Sequence, residues 1–201
     1  MKFVATYEPH DKFYRKARAM GLPSRAAFKI EEIIVRNRLV GKGARVVDLG
    51  CAPGGWLAIL VAAAGASGRV VGVDLAQVKN APAGAITIAG DILDPNVATR
   101  VQNELGGRAD LVTSDLAPKL TGIAARDEAR SRELIDCALT FATTMLKPGA
   151  SMVAKLFMGA QFKDIIDTFK PHFGSVEVTR TKASRPGSSE LYIVARDFRK
   201  S

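Results

Sequence analysis

The feature that most constrains the fold is a short apolar segment that runs through a glycine-rich turn into a helix-forming segment. Arg45 to Leu49 is rich in β-branched residues and carries Asp48 near its end, whereas Leu57 to Ala64 is rich in helix-favouring residues. The residues between them, 50–56, read GCAPGGW. The pattern predicts a strand-to-helix turn, where glycines let a ligand approach the backbone and the first N–H groups of the helix face it. We therefore expect a ligand site at the carboxyl end of this strand.

The spacing of the glycines argues against a dinucleotide ligand. A dinucleotide turn has the pattern G-x-G-x-x-G, but Gly50 is followed here by Cys51 and Ala52, and Pro53 removes an N–H that would bind phosphate. The turn suits a ligand without phosphates, so a nicotinamide oxidoreductase is the weakest alternative.

Acidic residues follow the apolar segments predicted around this turn. Asp74 ends the run 69–73 and is suited to accept both ribose hydroxyls of a nucleoside. Asp91 is placed to receive the amino group of an adenine, and Asp48 and Asp115 are expected to face a positively charged ligand. Acids around a glycine turn without a phosphate partner favour S-adenosylmethionine over NAD as the cofactor.

Predicted strands and helices alternate along the chain. The strands are 45–49, 70–73, 85–88, 110–114, 151–157, 175–181 and 191–195, and the helices are 7–20, 25–34, 57–64, 95–105, 127–146 and 161–170. The alternation predicts an α/β doubly wound fold with a mostly parallel seven-stranded sheet. The last two strands are joined without a helix, which predicts an antiparallel edge pair.

The bounds of two helices are predicted from local signals. Ser24 is expected to cap the helix 25–34, and the sequence Lys-Pro-Gly at 147–149 is expected to end the helix 127–146. We expect a single domain, 1–201, with the basic helical segment 1–40 packed on it.

The charge of the chain favours a polyanionic partner. The formal net charge is +9, and Lys and Arg are concentrated in residues 1–38 and 180–201. Such a surplus favours nucleic acid, although either cluster alone is also compatible with a solvated surface. We expect RNA to contact the N-terminal helical region through Arg25, together with the loop 182–185.

Composition argues against a membrane or metal protein. No apolar segment is long enough to span a bilayer or to act as a signal sequence, so we expect a soluble, cytoplasmic protein. Two cysteines and two histidines without a Cys-x-x-Cys pattern favour reduced thiols and leave little to build a metal site.

Lys155 is unusual because it lies within the otherwise apolar sequence MVAKLF. A charged amine in a central strand is unfavourable unless it is paired or functional, the alternative being a lysine that reaches solvent at the strand end. With Asp115 at the end of a preceding strand, it forms a candidate acid–base site, near which Lys29 and Glu190 are also expected.

Five segments together resemble the FtsJ ribosomal RNA ribose 2′-O-methyltransferases. They are SRAAFK at 24–29, DLGCAPGGW at 48–56, SDLAP at 114–118, VAKLF at 153–157 and SELY at 189–192. The resemblance runs in order from about residue 11 to 196 and implies a Rossmann-like methyltransferase fold with S-adenosylmethionine as methyl donor. It departs from the family at Cys51, where Ala is common, and at Met158 before Gly159.

The resemblance also implies site residues and a substrate. It places the catalytic tetrad on Lys29, Asp115, Lys155 and Glu190. It places the cofactor contacts on Gly54, Trp56, Asp74, Asp91 and Asp115. The implied substrate is a uridine 2′-hydroxyl in the A-loop of 23S rRNA in the large ribosomal subunit, with no obligate protein partner.

The sequence leaves several roles and functions open. Lys155 either accepts the hydroxyl proton when neutral or positions the hydroxyl when charged, while Asp115 orients it and Glu190 holds Lys29 or the ribose. Trp56 is expected to form a wall of the cofactor site, with ordinary core as the alternative. The alternative functions are a tRNA ribose methyltransferase, a non-catalytic RNA-binding assembly factor, and a methyltransferase acting on small molecules or proteins.

Overall fold

The computed structural model describes residues 12–22, 24–119, 121–185 and 187–199. Within these ranges, seven strands form one sheet with helices on both faces. In chain order the elements are α1 (Lys12–Ala19), α2 (Ala27–Asn37), β1 (Arg45–Leu49), α3 (Gly55–Ala64), β2 (Arg69–Asp74), β3 (Ala85–Ala89), α4 (Pro95–Leu105), β4 (Ala109–Ser114), α5 (Ala124–Met145), β5 (Leu146–Phe157), α6 (Phe162–Phe169), β6 (Phe173–Thr179) and β7 (Glu190–Phe198).

The strand order is β3-β2-β1-β4-β5-β7-β6. The first five strands in this order are parallel, and β7 lies antiparallel to both β5 and β6. Helical crossovers return the chain to the same end of the sheet for each parallel strand, whereas the helix-free loop after β6 reverses the direction. The predicted α/β fold with an antiparallel edge pair is therefore confirmed.

Strand β1 is buried on both faces because helices cover both sides of the sheet. Val47 and Leu49 of β1 pack in one buried cluster with residues of α4 and α5, and Val46 packs in the other with residues of α2 and α3. This double burial explains why β1 shows no alternation of polar and apolar residues.

One predicted helix cap is wrong, and one predicted helix end differs from the structure by a single residue. Ser24 does not cap α2, which begins at Ala27 after Ala26 without a side-chain cap. The residues 147–149 belong to β5, since α5 already ends at Met145. Of the predicted helix 7–20, the structure describes α1 at Lys12–Ala19, and residues 7–11 lie outside the described part.

The topology gives the sheet two distinct edges. The carboxyl ends of β1, β2, β4 and β5 define the carboxyl edge, and the beginnings of β1, β2 and β4 define the opposite amino edge. Because β7 is antiparallel, its first residue Glu190 pairs with Phe157 at the carboxyl edge. None of the helices in the described ranges is long and apolar enough to cross a membrane.

Candidate active site

Lys155 and Asp115 form an ion pair at the carboxyl edge. Lys155 Nζ lies 2.9 Å from Asp115 Oδ1 and donates a hydrogen bond of 2.8 Å to the Asp115 carbonyl oxygen. The two residues meet because β4 and β5 are adjacent parallel strands, paired at Ser114 and Ala154. The Lys155 side chain is only 9% exposed, so its partners replace water.

Lys29 and Glu190 form a second ion pair at the same edge. Lys29 Nζ lies 2.7 Å from Glu190 Oε1 and 2.8 Å from Oε2. The pair joins α2 to the first residue of β7. Tyr192 Oη donates a 3.0 Å hydrogen bond to Glu190 Oε1, and Ser184 Oγ donates one of 3.2 Å to the same oxygen.

The two ion pairs influence each other electrostatically. Burial raises the pKa of Asp115, although the charges of Lys155 and Lys29 oppose this. Burial also acts to raise the pKa of Glu190, but the hydrogen bond and charge of Lys29, with smaller contributions from Tyr192 and Lys155, lower it overall. Lys29, Asp115, Lys155 and Glu190 therefore form one cluster, which we call the tetrad, and the sequence-predicted catalytic residues are brought together.

A pocket beside Asp115 is formed by the glycine turn and the start of α2. The described residues that line it are Ser24, Ala26, Gly50, Cys51, Ala52, Pro53, Gly55, Trp56 and Asp115. Gly50 has a φ of +74°, and a Cβ there would lie 3.0 Å from the Leu116 amide nitrogen, so only glycine fits this turn. The lining contains a carboxylate and no Lys or Arg, which suits a cationic ligand rather than a phosphate.

Trp56 forms one wall of this pocket and also belongs to the core. It is 3% exposed, its Nε1 donates a 2.9 Å hydrogen bond to the Ala26 carbonyl, and its ring centroid lies 5.9 Å from that of Tyr192. Its burial leaves no face for stacking on RNA.

Asp74 is the last residue of β2, and Asp91 comes two residues after the neighbouring strand β3. Asp74 Oδ2 accepts a 2.9 Å hydrogen bond from the Ala52 amide, and Oδ1 accepts one of 2.8 Å from the Ala76 amide, which ties β2 to the glycine turn. Asp91 is exposed just beyond β3, and its Oδ1 accepts a 2.9 Å hydrogen bond from the Leu93 amide. A carboxylate oxygen has more than one lone pair, so both groups can still accept ligand hydroxyls or amines.

Asp48 does not face the pocket, and the expectation that it faces a cationic ligand is wrong. Its side chain is fully buried, and Oδ1 accepts a 2.7 Å hydrogen bond from Thr113 Oγ1. Oδ2 has no hydrogen-bond partner among the described residues. Burial raises the pKa of Asp48 to about 8.

Tyr192 and Ser184 were not predicted as site residues. The place of Tyr192 beside Glu190 could have been predicted, because residues two apart on a strand point to the same face and Glu190 was already a candidate. Ser184 had none, since a serine in the loop before β7 resembles any other polar loop residue.

Comparison with known proteins shows which family the chain belongs to. The FtsJ-like methyltransferase family matches residues 22–198. The chain belongs to this family. The ribosomal RNA large subunit methyltransferase E of Anaeromyxobacter dehalogenans is 45% identical over 194 residues, covering 96% of this chain and 73% of that protein. The protein of the same name from Methanoculleus marisnigri is 47% identical over 189 residues, covering 94% and 92%.

Solved structures agree with the family. A Plasmodium falciparum crystal structure, provisionally named as a ribosomal RNA methyltransferase, has a TM-score of 0.75 and 25% identity and covers 87% of this chain and 97% of its own. A fibrillarin/Nop5p complex has a TM-score of 0.56 at 19% identity and shares the fold. This FtsJ-like methyltransferase uses S-adenosylmethionine, as predicted, and a pocket lined by the Asp115 carboxylate and by no Lys or Arg is consistent with that cofactor.

Proposed function

We propose that this FtsJ-like methyltransferase methylates a ribose 2′-hydroxyl of RNA, and that its substrate is a uridine in the A-loop of 23S rRNA in the large ribosomal subunit. The observation that carries the proposal is the tetrad, in which Lys155 and Asp115 lie next to the pocket of the glycine turn. Relatives named for large-subunit ribosomal RNA, at 45% and 47% identity, support the substrate.

The residues proposed to hold S-adenosylmethionine surround the glycine turn. Asp74 and Asp91 would bind its ribose and adenine, Gly54 and Trp56 would bound the site, and Asp115 would face the sulfonium. The cofactor supplies a methyl group already activated by the positive sulfur. The chain therefore needs to position the 2′-oxygen and to accept its proton.

Lys155 and Asp115 are proposed to perform this proton transfer. An ammonium has three N–H donors, and Lys155 uses its Nζ toward the carbonyl and the carboxylate of Asp115, which leaves one direction for the 2′-oxygen. In the free amine the third direction holds the lone pair, and Asp115 orients it toward the 2′-hydroxyl. As the free amine, Lys155 would accept the proton of the 2′-hydroxyl while the oxygen bonds to the methyl carbon and the bond between that carbon and the sulfur breaks.

Glu190 is proposed to fix Lys29 at the ribose. The bidentate contact, with support from Tyr192 and Ser184, restricts Lys29 to one position. Lys29 in turn opposes the rise in the pKa of Asp115, so its charge favours the carboxylate form that pairs with Lys155.

RNA is proposed to approach along α2 and the loop before β7. Arg25 donates a hydrogen bond to the Ala183 carbonyl, and the Lys182 amide donates one of 2.8 Å to Glu32. These contacts hold the basic loop against α2 beside Ser184, which contacts Glu190. In α1, Ala17 packs with Phe28 and Ala183, which supports the proposal that the basic N-terminal segment forms one domain with the rest.

Methyl transfer by the Lys155→Ala variant tests the mechanism. We expect kcat on large-subunit rRNA or subunits to fall by roughly 10² to 10⁴, because a proton acceptor is lost. The affinity for S-adenosylmethionine, measured by calorimetry, is expected to stay within about twofold. Lys163→Ala, on an exposed position of α6, is the control and should retain activity. Wild-type turnover by Lys155→Ala at saturating substrate would overturn the mechanism.

Mapping of 2′-O-methyl groups tests the substrate. We expect methylation at one uridine of the large-subunit rRNA and none in tRNA. Transfer to tRNA instead would replace the proposed substrate, and binding to subunits without methyl transfer would favour an assembly factor.

A further inference from the structure

The amino edge of the sheet carries a second basic surface, at the opposite end of the strands from the tetrad. We call it the amino-edge basic surface, and its exposed members are Arg38, Lys42, Arg45, Arg69 and Arg108. Arg45 and Arg69 begin β1 and β2 and are paired in register, and Arg108 precedes β4. The parallel sheet therefore gathers cations that are far apart in the sequence.

The charges of this surface are not neutralised by their hydrogen bonds. Arg45 Nε, Arg69 Nη1 and Arg108 Nη1 donate to the carbonyls of Leu105, Glu104 and Leu146 at 3.2, 2.9 and 2.9 Å, and Lys42 Nζ donates to the Ala62 carbonyl at 3.3 Å. Carbonyl oxygens carry no net charge, so these contacts hold the side chains at helix ends without an ion pair, and Asp110 is the acid whose charge Arg45 feels. A guanidinium has five N–H donors, so each arginine also keeps donors for a ligand.

Arg38 is the most available cation of the surface. It ends α2 with a φ of +53° and is exposed, and its side chain makes no hydrogen bond or ion pair with another described residue. It lines a cleft of about 410 Å³ together with Lys42, Lys147 and Arg196. The cleft also contains Asp110, which is held by Lys147 and the Arg45 amide, and Asp197.

We propose that the amino-edge basic surface binds the phosphate backbone of a second rRNA segment, separate from the segment whose ribose is methylated. This rests on the proposed function, because a large folded RNA can reach both edges at once. The six residues of β4 separate the two edges by about 20 Å, so an oligonucleotide confined to the pocket does not reach this surface. Of the four cations of the cleft, Lys147 and Arg196 are ion-paired with Asp110 and Glu177. Arg38 and Lys42 form no ion pair with a described residue, and such cations suit phosphates, which position RNA without reading its sequence.

Two variants with the same charge test the proposal. Arg38→Gln with Lys42→Gln removes two positive charges from the surface, and Arg100→Glu lowers the net charge by the same amount on the exposed side of α4. Binding is measured by fluorescence anisotropy with naked large-subunit rRNA and with a short stem-loop containing the target uridine. At about 0.1 M salt we expect the double variant to bind the large rRNA roughly tenfold more weakly and the stem-loop unchanged. Arg100→Glu should change neither, and all differences should vanish in about 1 M salt.

The remaining outcomes each decide the question. Equal losses for the double variant and Arg100→Glu, or no loss for either, overturn the proposal. A loss on assembled subunits without one on naked rRNA indicates a ribosomal protein as the partner, which also overturns it. If the wild-type protein binds rRNA without methylating it, the proposed function fails, and the comparison of the two variants still decides whether this surface binds RNA.

Discussion

At the scale of single residues, the titration of the buried Asp48 makes the free energy of unfolding depend on pH. Burial raises its pKa to about 8, whereas an unfolded aspartate titrates near 4. At neutral pH the folded state thus keeps a proton that the unfolded chain releases. The contribution of Asp48 to stability is complete below the unfolded pKa and is lost as the pH rises through about 8.

Asp48→Asn is therefore expected to remove this pH dependence. The amide mimics the protonated carboxyl and can still accept from Thr113 Oγ1. The variant should match the wild type near pH 4 and exceed its free energy of unfolding at pH 8, by about 1.4 kcal/mol for each unit of pKa difference. Urea denaturation at several pH values measures this. A difference between the proteins that does not grow with pH contradicts the prediction.

Tyr192→Phe tests the hydrogen bond that the Tyr192 hydroxyl donates to Glu190. The change removes the hydroxyl that bonds Oε1 and keeps the ring beside Trp56. Because that hydrogen bond lowers the pKa of Glu190, the acid limb of the kcat–pH profile should move to higher pH, and kcat should fall by roughly three- to tenfold. An unchanged profile would show that Tyr192 serves the core alone.

Some of these residues were predictable and others were not. Lys155 is conspicuous because a charge interrupts an apolar strand. The position of Asp115 beside it could be predicted because the parallel strands β4 and β5 are adjacent. The burial of Asp48 was not predictable, because it depends on the Thr113 hydroxyl of β4, which only the paired sheet brings near.

At the scale of elements, β2 packs so tightly on the glycine turn and α3 that Gly72 has no room for a side chain. A Cβ there would lie 2.8 Å from Cys51 Sγ and 2.9 Å from Leu57 Cδ2. Gly72→Ala should lower the free energy of unfolding by about 1–3 kcal/mol and weaken cofactor binding, because Cys51 must move.

Gly41→Ala is the matched control for this change. No described atom lies within 4 Å of its added Cβ, so the effect on stability should stay within about 0.5 kcal/mol. Chemical denaturation and calorimetry with S-adenosylmethionine give both quantities. Equal stability of the two variants would show that β2 and α3 can separate without loss.

Strand positions were predicted well because continuous apolar runs reflect burial on both faces. Helix ends were predicted less well, because tertiary contacts replaced the local signals. Ser24 lines the pocket against Gly55 instead of capping α2, and β5 extends back to Leu146, which pairs with Ala109 of β4.

At the scale of the whole molecule, the net charge of +9 governs RNA binding more than cofactor binding. The affinity for large-subunit rRNA should fall steeply with salt, because phosphate contacts release counterions. The binding constant should fall by several powers of ten for each tenfold rise in salt concentration. The affinity for S-adenosylmethionine should change less than twofold over the same range. Titrations at 50 to 400 mM salt test this, and a flat RNA curve would contradict it.

The terminal basic clusters were visible in the sequence, but the amino-edge basic surface was not. Arg45, Arg69 and Arg108 lie in a part of the chain whose charge is nearly balanced. Only the parallel register, which places strand beginnings side by side, concentrates them.

The balanced charges of the tetrad have a consequence for repeated turnover. Two amines and two carboxylates give the tetrad a net charge of zero. Each proposed methylation transfers the hydroxyl proton to the tetrad, which then holds one proton in excess. The tetrad cannot accept the proton of the next hydroxyl until the first proton is released to bulk water. Asp115 is the most solvent-accessible of the four, at 26% against 9–15% for the others, so we infer that the proton leaves the cluster through its carboxyl group.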